Sequence, residues 1–229
     1  MRSRRMRLLG MVLAPLAALT LASAPAHSSP GVVVHPGMEI HQDTNSCTLG
    51  FIDAVRRIAY TAGHCRGSGT VTDRAGRFIG TQLMFRDNTP NGSTVATDHQ
   101  IADWQTIQLT GDVVMNNVLP TGRVLVEDPT VVPQPGQPVC HFGVVTGESC
   151  GRIAAVNNGW FTMGDGVVSQ KGDSGGPVYT VNEAGQAVII GMFNSTWGQF
   201  PAAVSWQSTT AQINDEIIKA TAGTPAAAA

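Results

Sequence analysis

"QKGDSGGPV", residues 170–178, sets three glycines, Gly172, Gly175 and Gly176, around one serine, Ser174. Glycine is used where the backbone must take conformations closed to other residues or pass close to another group. A serine on such a turn presents its hydroxyl outward, and neighbouring backbone N–H groups can converge beside it. That is the layout of a nucleophile with an oxyanion hole. The plainer alternative is a β-turn in which Asp173 bonds its own backbone. What separates the two is whether the rest of the chain supplies a base.

A base stands in "AYTAGHCRG", residues 59–67. His64 follows a β-type run and precedes Cys65, so a disulfide there would pin the backbone that carries the imidazole. The third requirement is a carboxylate that holds the imidazole in one tautomer and stabilises its cation. The stretch "ATDHQIADWQTIQL", residues 96–109, offers Asp98 and Asp103. Asp103 directly precedes the strand-like "WQTIQL", which would fix and bury it, whereas Asp98 sits in a polar loop. Asp103 is therefore the expected partner.

The chain has 229 residues, 42% of them hydrophobic, enough for one large domain or two small ones with a buried core. Net charge is −2, with no acidic or basic block after the N-terminus, which argues against nucleic acid and polyanionic partners. Arg2, Arg4, Arg5 and Arg7 precede an apolar run over residues 8–22, followed by Ala24-Pro25-Ala26. This reads as a signal peptide, residues 1–26, with the mature chain starting at His27. The run is about 15 residues, short for a membrane span, and no other stretch could cross a bilayer. A secreted or cell-envelope protein is expected, with no membrane contact after cleavage. Cys47, Cys65, Cys140 and Cys150 are an even set in an exported chain, which favours two disulfides. Of the three pairings, Cys47–Cys65 with Cys140–Cys150 is the short-range one. There is no Cys-x-x-Cys and the histidines are scattered, so no metal or cofactor is expected.

Helical periodicity is almost absent between residues 30 and 205. Short runs rich in Val, Ile, Thr and Phe recur instead, such as "GVVVH", "RIAYTA", "GRFIGTQLMF" and "QAVIIGMF", separated by turn clusters such as "DRAG", "NNG" and "NEAG". This pattern predicts an all-β barrel or sandwich. "EDPTVVPQPGQP", residues 127–138, has four prolines and no strand alternation, and reads as a connector. It divides the body into halves at 27–126 and 139–208. Ile213, Ile217 and Ala220 then follow helical spacing, predicting a helix over 209–222 capped by Ser208 or Thr209. Residues 223–229 read as a disordered tail.

His, then Asp, then Ser is the chain order of the chymotrypsin-type serine proteases. "TAGHC" resembles the histidine motif of that family and "GDSGGP" its serine motif. "SCTLGF…AYTAGHC" and "VCHFGVVTGESCGRI" look most like the bacterial branch of α-lytic protease and streptogrisin type. The resemblance covers about residues 31–208. It implies two orthogonal antiparallel β-barrels with the site between them, and a secreted, monomeric serine endopeptidase acting on peptide or protein substrates through an acyl-enzyme, without a cofactor. His64 would be the base, Asp103 its orienter, Ser174 the nucleophile, and the N–H groups of Gly172 and Ser174 the oxyanion hole. The disulfides Cys47–Cys65 and Cys140–Cys150 are implied too. Alternatives are a catalytically weak homologue that acts by binding, and an esterase.

The chain departs from this branch in three ways. It lacks the cysteines for a bridge near the serine loop, and there is no room for a long pro-region between Ala26 and the first strand. Where the branch has an arginine paired with the aspartate before the nucleophile, "VCHFG" has His141, so protonated His141 is expected to pair with Asp173, the alternative being a neutral His141 or service of Asp173 by another residue such as Arg152. "NSTWGQF", residues 194–200, resembles the strand that pairs with substrate, which would place Thr196, Trp197 and Gly198 along the peptide. Val168 and Ser169 would lie at the pocket base. Neither is acidic, so a neutral, small-to-medium apolar side chain is the expected fit, with only a weak acidic pull from Lys171 at the rim.

Overall fold

The computed structural model describes residues 31–88, 98 and 100–222. The expected signal peptide and C-terminal tail lie outside the described residues, as does His99. Most of the strands fall in two seven-stranded sheets. In the first the order is Asn45–Thr48, Glu39–Gln42, Thr70–Asp73, Phe78–Asp87, Asp103–Leu109, Ile58–Thr61, Phe51–Asp53. Its two edge strands are consecutive in sequence, separated only by Leu49 and Gly50. Leu49 N–H donates to Met38 O at 2.9 Å and Gly50 N–H to Tyr60 O at 2.8 Å, so one kinked segment curls the sheet back on itself. In the second, Ala187–Trp197 pairs on one side with Pro177–Val181 and on the other with Phe200–Ser205, closing six strands into a barrel. The fold is all-β with one C-terminal helix, as the strand pattern and the resemblance led us to expect.

Each half buries its own apolar side chains. Val34, Ile40, Leu49, Val71, Ile79 and Ile107 fill the first, and Val139, Ile153, Phe161, Met163 and Val178 the second. A further cluster joins residues of both halves and the helix: Phe51 and Tyr60 meet Trp206 edge-on at centroid distances of 5.2 and 5.1 Å. Each aromatic pair adds about 0.5–1.5 kcal/mol beyond the area it buries. Two indole N–H groups of this cluster are satisfied as well: Trp104 donates to Gln212 at 2.9 Å and Trp206 to Glu127 at 2.7 Å.

The helix spans Trp206–Ala222 and so starts three residues before the expected position 209. Strand Phe200–Ser205 runs straight into it, and Ser205 Oγ, not Ser208 or Thr209, accepts the first-turn amide, from Ser208 at 3.4 Å. Both expected disulfides are present, Cys47–Cys65 and Cys140–Cys150. Among the described residues no helix is long and apolar enough to cross a membrane.

Candidate active site

His64 lies in a single 3₁₀ turn, Gly63–Cys65, just after strand Ile58–Thr61. The turn is packed against Trp104: a Cβ on Gly63 would lie 2.9 Å from both the Trp104 N and O, so only glycine fits. Asp103 opens the strand Asp103–Leu109 and is fully buried. It accepts His64 N–H on Oδ1 and His64 Nδ1–H on Oδ2, both at 2.8 Å. The two bonds fix the backbone and the tautomer together. Asn194 Nδ2 also donates to Asp103 Oδ2, and Ser195 Oγ donates to Asn194 Oδ1 at 2.5 Å. Asp98 is exposed and takes no part. Burial pulls the His64 imidazolium down, but the hydrogen bond and charge of Asp103, helped by Asp87, more than offset it, and the pKa stands above its ordinary 6.5.

Ser174 is carried by the glycine loop of the second half. Asp173 N–H donates to Gln170 O at 3.0 Å, closing a turn in which Gly172 has φ +105°, a value that strains any residue with a Cβ. Among the described residues nothing accepts from the N–H of Gly172 or Ser174, while their carbonyls are held. Thr48 Oγ1 donates to Gly172 O at 2.9 Å, and Thr48 N–H donates to Ser174 O at 2.8 Å. Val144 N–H donates to Thr48 Oγ1 at 3.0 Å. One threonine of the first half thus ties down the loop of the second.

The Asp173 carboxylate is buried and fully hydrogen-bonded. It accepts from Val145 N–H (2.9 Å), Thr146 N–H (3.2 Å), Thr146 Oγ (2.8 Å) and Gln170 N–H (2.7 Å). Gly143 makes the close approach feasible, since a Cβ there would fall 2.1 Å from Asp173 Oδ1. The expected ion pair with His141 is not formed. His141 is fully buried against the Phe193 ring (centroids 4.8 Å apart), and neither of its ring nitrogens has a hydrogen-bond partner. Burial pushes its pKa down to about 4, with the Asp173 charge and the nearby Val168 and Asp173 backbone pulling weakly the other way. His141 is therefore a neutral packing group. Three amides and one hydroxyl stabilise Asp173 where a cation was expected, because these four bonds serve a buried carboxylate without burying a second charge.

His64 and Ser174 line one cleft of about 500 Å³ with Asp87, Ser169, Lys171 and Thr196. They also share a second hollow of about 350 Å³, bordered by Ser46, Cys47 and Val145. Among the described residues Ser174 Oγ makes no hydrogen bond; such bonds commonly tighten only when substrate is bound. Val168, Trp197 and Gly198 do not line the cleft. Val168 is 53% exposed and its N–H is bonded to Ser149 Oγ. Trp197 stands edge-on against Trp160 at 4.1 Å, and Gly198 is exposed with φ +63°. Thr196 does line it, together with Asn194 and Ser195. His64 lies close to Cys47 and Cys65, but those sulfurs are bonded to each other and offer no thiolate to a metal.

This architecture is the chymotrypsin-like fold of bacterial serine proteases. Similar solved structures include a glutamic-acid-specific serine protease described as using a histidine triad in substrate binding (18% identity, 79% of this chain and 98% of that one, TM-score 0.57). Thermobifida fusca protease A (19%, 80% and 97%, TM-score 0.56) and Cellulomonas bogoriensis chymotrypsin (21%, 80% and 96%, TM-score 0.54) are also similar. No family model matches the chain. Uncharacterized protein MT1863 of Mycobacterium tuberculosis strain CDC 1551 is 57% identical over 205 residues, 89% of this chain and 93% of that protein. Uncharacterized protein Rv1815 of strain H37Rv is 56% identical over the same shares. The chain belongs to the family of these two mycobacterial proteins.

Proposed function

We propose that this chain is an exported serine endopeptidase. The observation that carries the reading is the juxtaposition in one cleft of the Asp103-bonded His64 with Ser174, flanked by the unpaired amides of Gly172 and Ser174. In this mechanism Ser174 Oγ attacks the scissile carbonyl while His64 Nε2 takes its proton. Asp103 stabilises the imidazolium through Nδ1–H. The Gly172 and Ser174 amides donate to the carbonyl oxygen as it becomes an oxyanion, an interaction typically worth a factor of about 10²–10³ per donor. His64 then protonates the leaving amine. Water, activated by the same imidazole, hydrolyses the acyl-enzyme and regenerates Ser174. The two disulfides and the arginine-led N-terminal apolar run support export.

The histidine triad ascribed to the glutamate-specific neighbour is not what this cleft offers, for His64 is the one histidine lining it among the described residues. Covalent labelling by a serine-directed phosphonate, located to Ser174 by mass spectrometry and lost in Ser174→Ala, tests the reading. Matched amide and ester substrates then separate a peptidase from an esterase. A folded wild-type protein that neither labels nor cleaves would refute it and leave a binding role.

A further inference from the structure

We infer that the cleft accepts an acidic side chain, aspartate or glutamate, on the residue preceding the scissile bond (P1). The inference rests on the serine-peptidase reading above. It follows from what lines the cleft with His64, where the residues leading into the serine loop meet the end of strand Ala187–Trp197.

Two hydroxyls meet there: Ser169 Oγ and Thr196 Oγ1 are 3.2 Å apart. One proton suffices for their mutual bond, and the other remains to be donated to an incoming oxygen. Beside them is Lys171, exposed, lining the same cleft and without an ion pair among the described residues. The carboxylates near the cleft are all engaged elsewhere. Asp87 is bonded to Arg66 at 2.7 Å on the His64 side, Asp103 lies beneath the imidazole, and Asp173 faces the amides behind the loop. The inner end is closed by Phe193, 3% exposed, backed by the neutral His141.

Apart from Asp87, whose charge is met by Arg66, the cleft lining carries donors, one cation and no anion. A P1 carboxylate takes the free hydroxyl proton as a charge-assisted bond and gives Lys171 its counter-ion. A P1 lysine or arginine meets a like charge. An apolar P1 side chain strips water from both hydroxyls and returns nothing. This differs from the apolar preference that residue types alone had suggested, because the sequence did not show that the hydroxyls at positions 169 and 196 face each other.

The test is a peptide series identical except at P1 (Glu, Asp, Gln, Leu, Arg), with a second series placing the acid at P1′. Both are read as kcat/KM at low and high salt, for wild type, Lys171→Glu and Thr196→Val. Wild type should cleave the Glu or Asp peptide at least about tenfold better than the Gln and Leu peptides. That ratio should shrink with salt and fall toward one in Lys171→Glu. Thr196→Val should lower it as well. Phosphonate labelling of Ser174 in each variant shows that it is folded. A preference for Leu or Arg, an acidic preference confined to P1′, or an unchanged ratio in Lys171→Glu would each overturn the inference while leaving the peptidase reading intact. Failure of wild type to label and to cleave any peptide overturns both.

Discussion

The Asn194 carboxamide donates to Asp103 Oδ2, the same oxygen that receives the His64 Nδ1 proton. One carboxylate oxygen thus serves two donors, and Ser195 steadies the second through Asn194 Oδ1. Asn194 acts on the candidate base only through Asp103, so it is a positioning residue. Its donor draws on the negative charge that would otherwise act on the imidazolium. Asn194→Ala should raise the His64 pKa further and shift the acid limb of kcat/KM to higher pH. The lost bond to a buried carboxylate should cost about 1.5–3 kcal/mol in stability. A loss of activity with no movement of the acid limb would reduce Asn194 to a packing role.

His64 must be neutral to act as base, so activity should fall as pH drops through its folded pKa, which lies above 6.5. Because that pKa is raised on folding, protonated His64 favours the native state. The contribution is present below the unfolded pKa and is lost as pH rises through the folded one. Asp103→Asn removes the charge that raises it and should bring the titration down. NMR titration of the His64 ring in both proteins decides the point, and an unmoved or upward shift in Asp103→Asn would count against the assignment.

His141 behaves in the opposite sense. It stays neutral in the fold down to about pH 4, whereas the unfolded chain takes up its proton near pH 6.5. Stability should therefore decline as pH falls between these values, and the decline should stop once the buried imidazole is itself protonated. His141→Leu, which forfeits no hydrogen bond, should flatten that stretch of a urea-midpoint profile and leave the alkaline limb of activity where it was. Equal pH slopes in the two proteins would mean that His141 is not held neutral.

Much of this arrangement can be read from residue types, and the remainder depends on backbone detail. Glycine spacing around Ser174, the disulfide-linked turn of His64 and the strand-start position of Asp103 all follow from local rules. Of the positions expected along a peptide, Ser169 and Thr196 line the cleft, while the shift in strand pairing between Phe193 and Ser195 is not visible in residue types. A bulge changes which side chains share a face, and Trp197 packs against Trp160. Thr48 gave no signal, since its partners Gly172 and Ser174 lie more than a hundred residues away. Nor could the sequence show that amides from Val145, Thr146 and Gln170 converge on Asp173, making a cation unnecessary.

Thr48→Val keeps the shape of the side chain and removes one hydroxyl, stranding the Gly172 carbonyl and the Val144 amide. Each orphaned group costs about 1–3 kcal/mol if it stays dry. Because Gly172 is also a proposed oxyanion donor, kcat should drop roughly tenfold or more with little change in KM. An unaltered kcat would mean that the loop holds its shape without the threonine.

Replacing Cys47 and Cys65 by alanine opens a cross-link between residues 18 apart. The chain-entropy account puts the stability loss at about 3 kcal/mol. Activity measured where the variant is still fully folded should fall as well, because the bridge anchors the turn carrying His64. Full activity per folded molecule would confine the bridge to a stability role.

The imidazole and its carboxylate ride on one sheet, the serine on the other, and each sheet encloses a core of its own. Residues 127–137 form no strand, although Leu125–Val126 just before them already pairs with Ala187–Val188 of the second sheet. A chain severed in this stretch would leave two fragments, each with the means to collapse alone and neither with a complete set of reactive groups. The proposed hydrolysis would then report their reunion, making the molecule a candidate for fragment complementation, with Thr48, the Trp206 cluster and the Leu125–Val126 pairing as the contacts that must re-form.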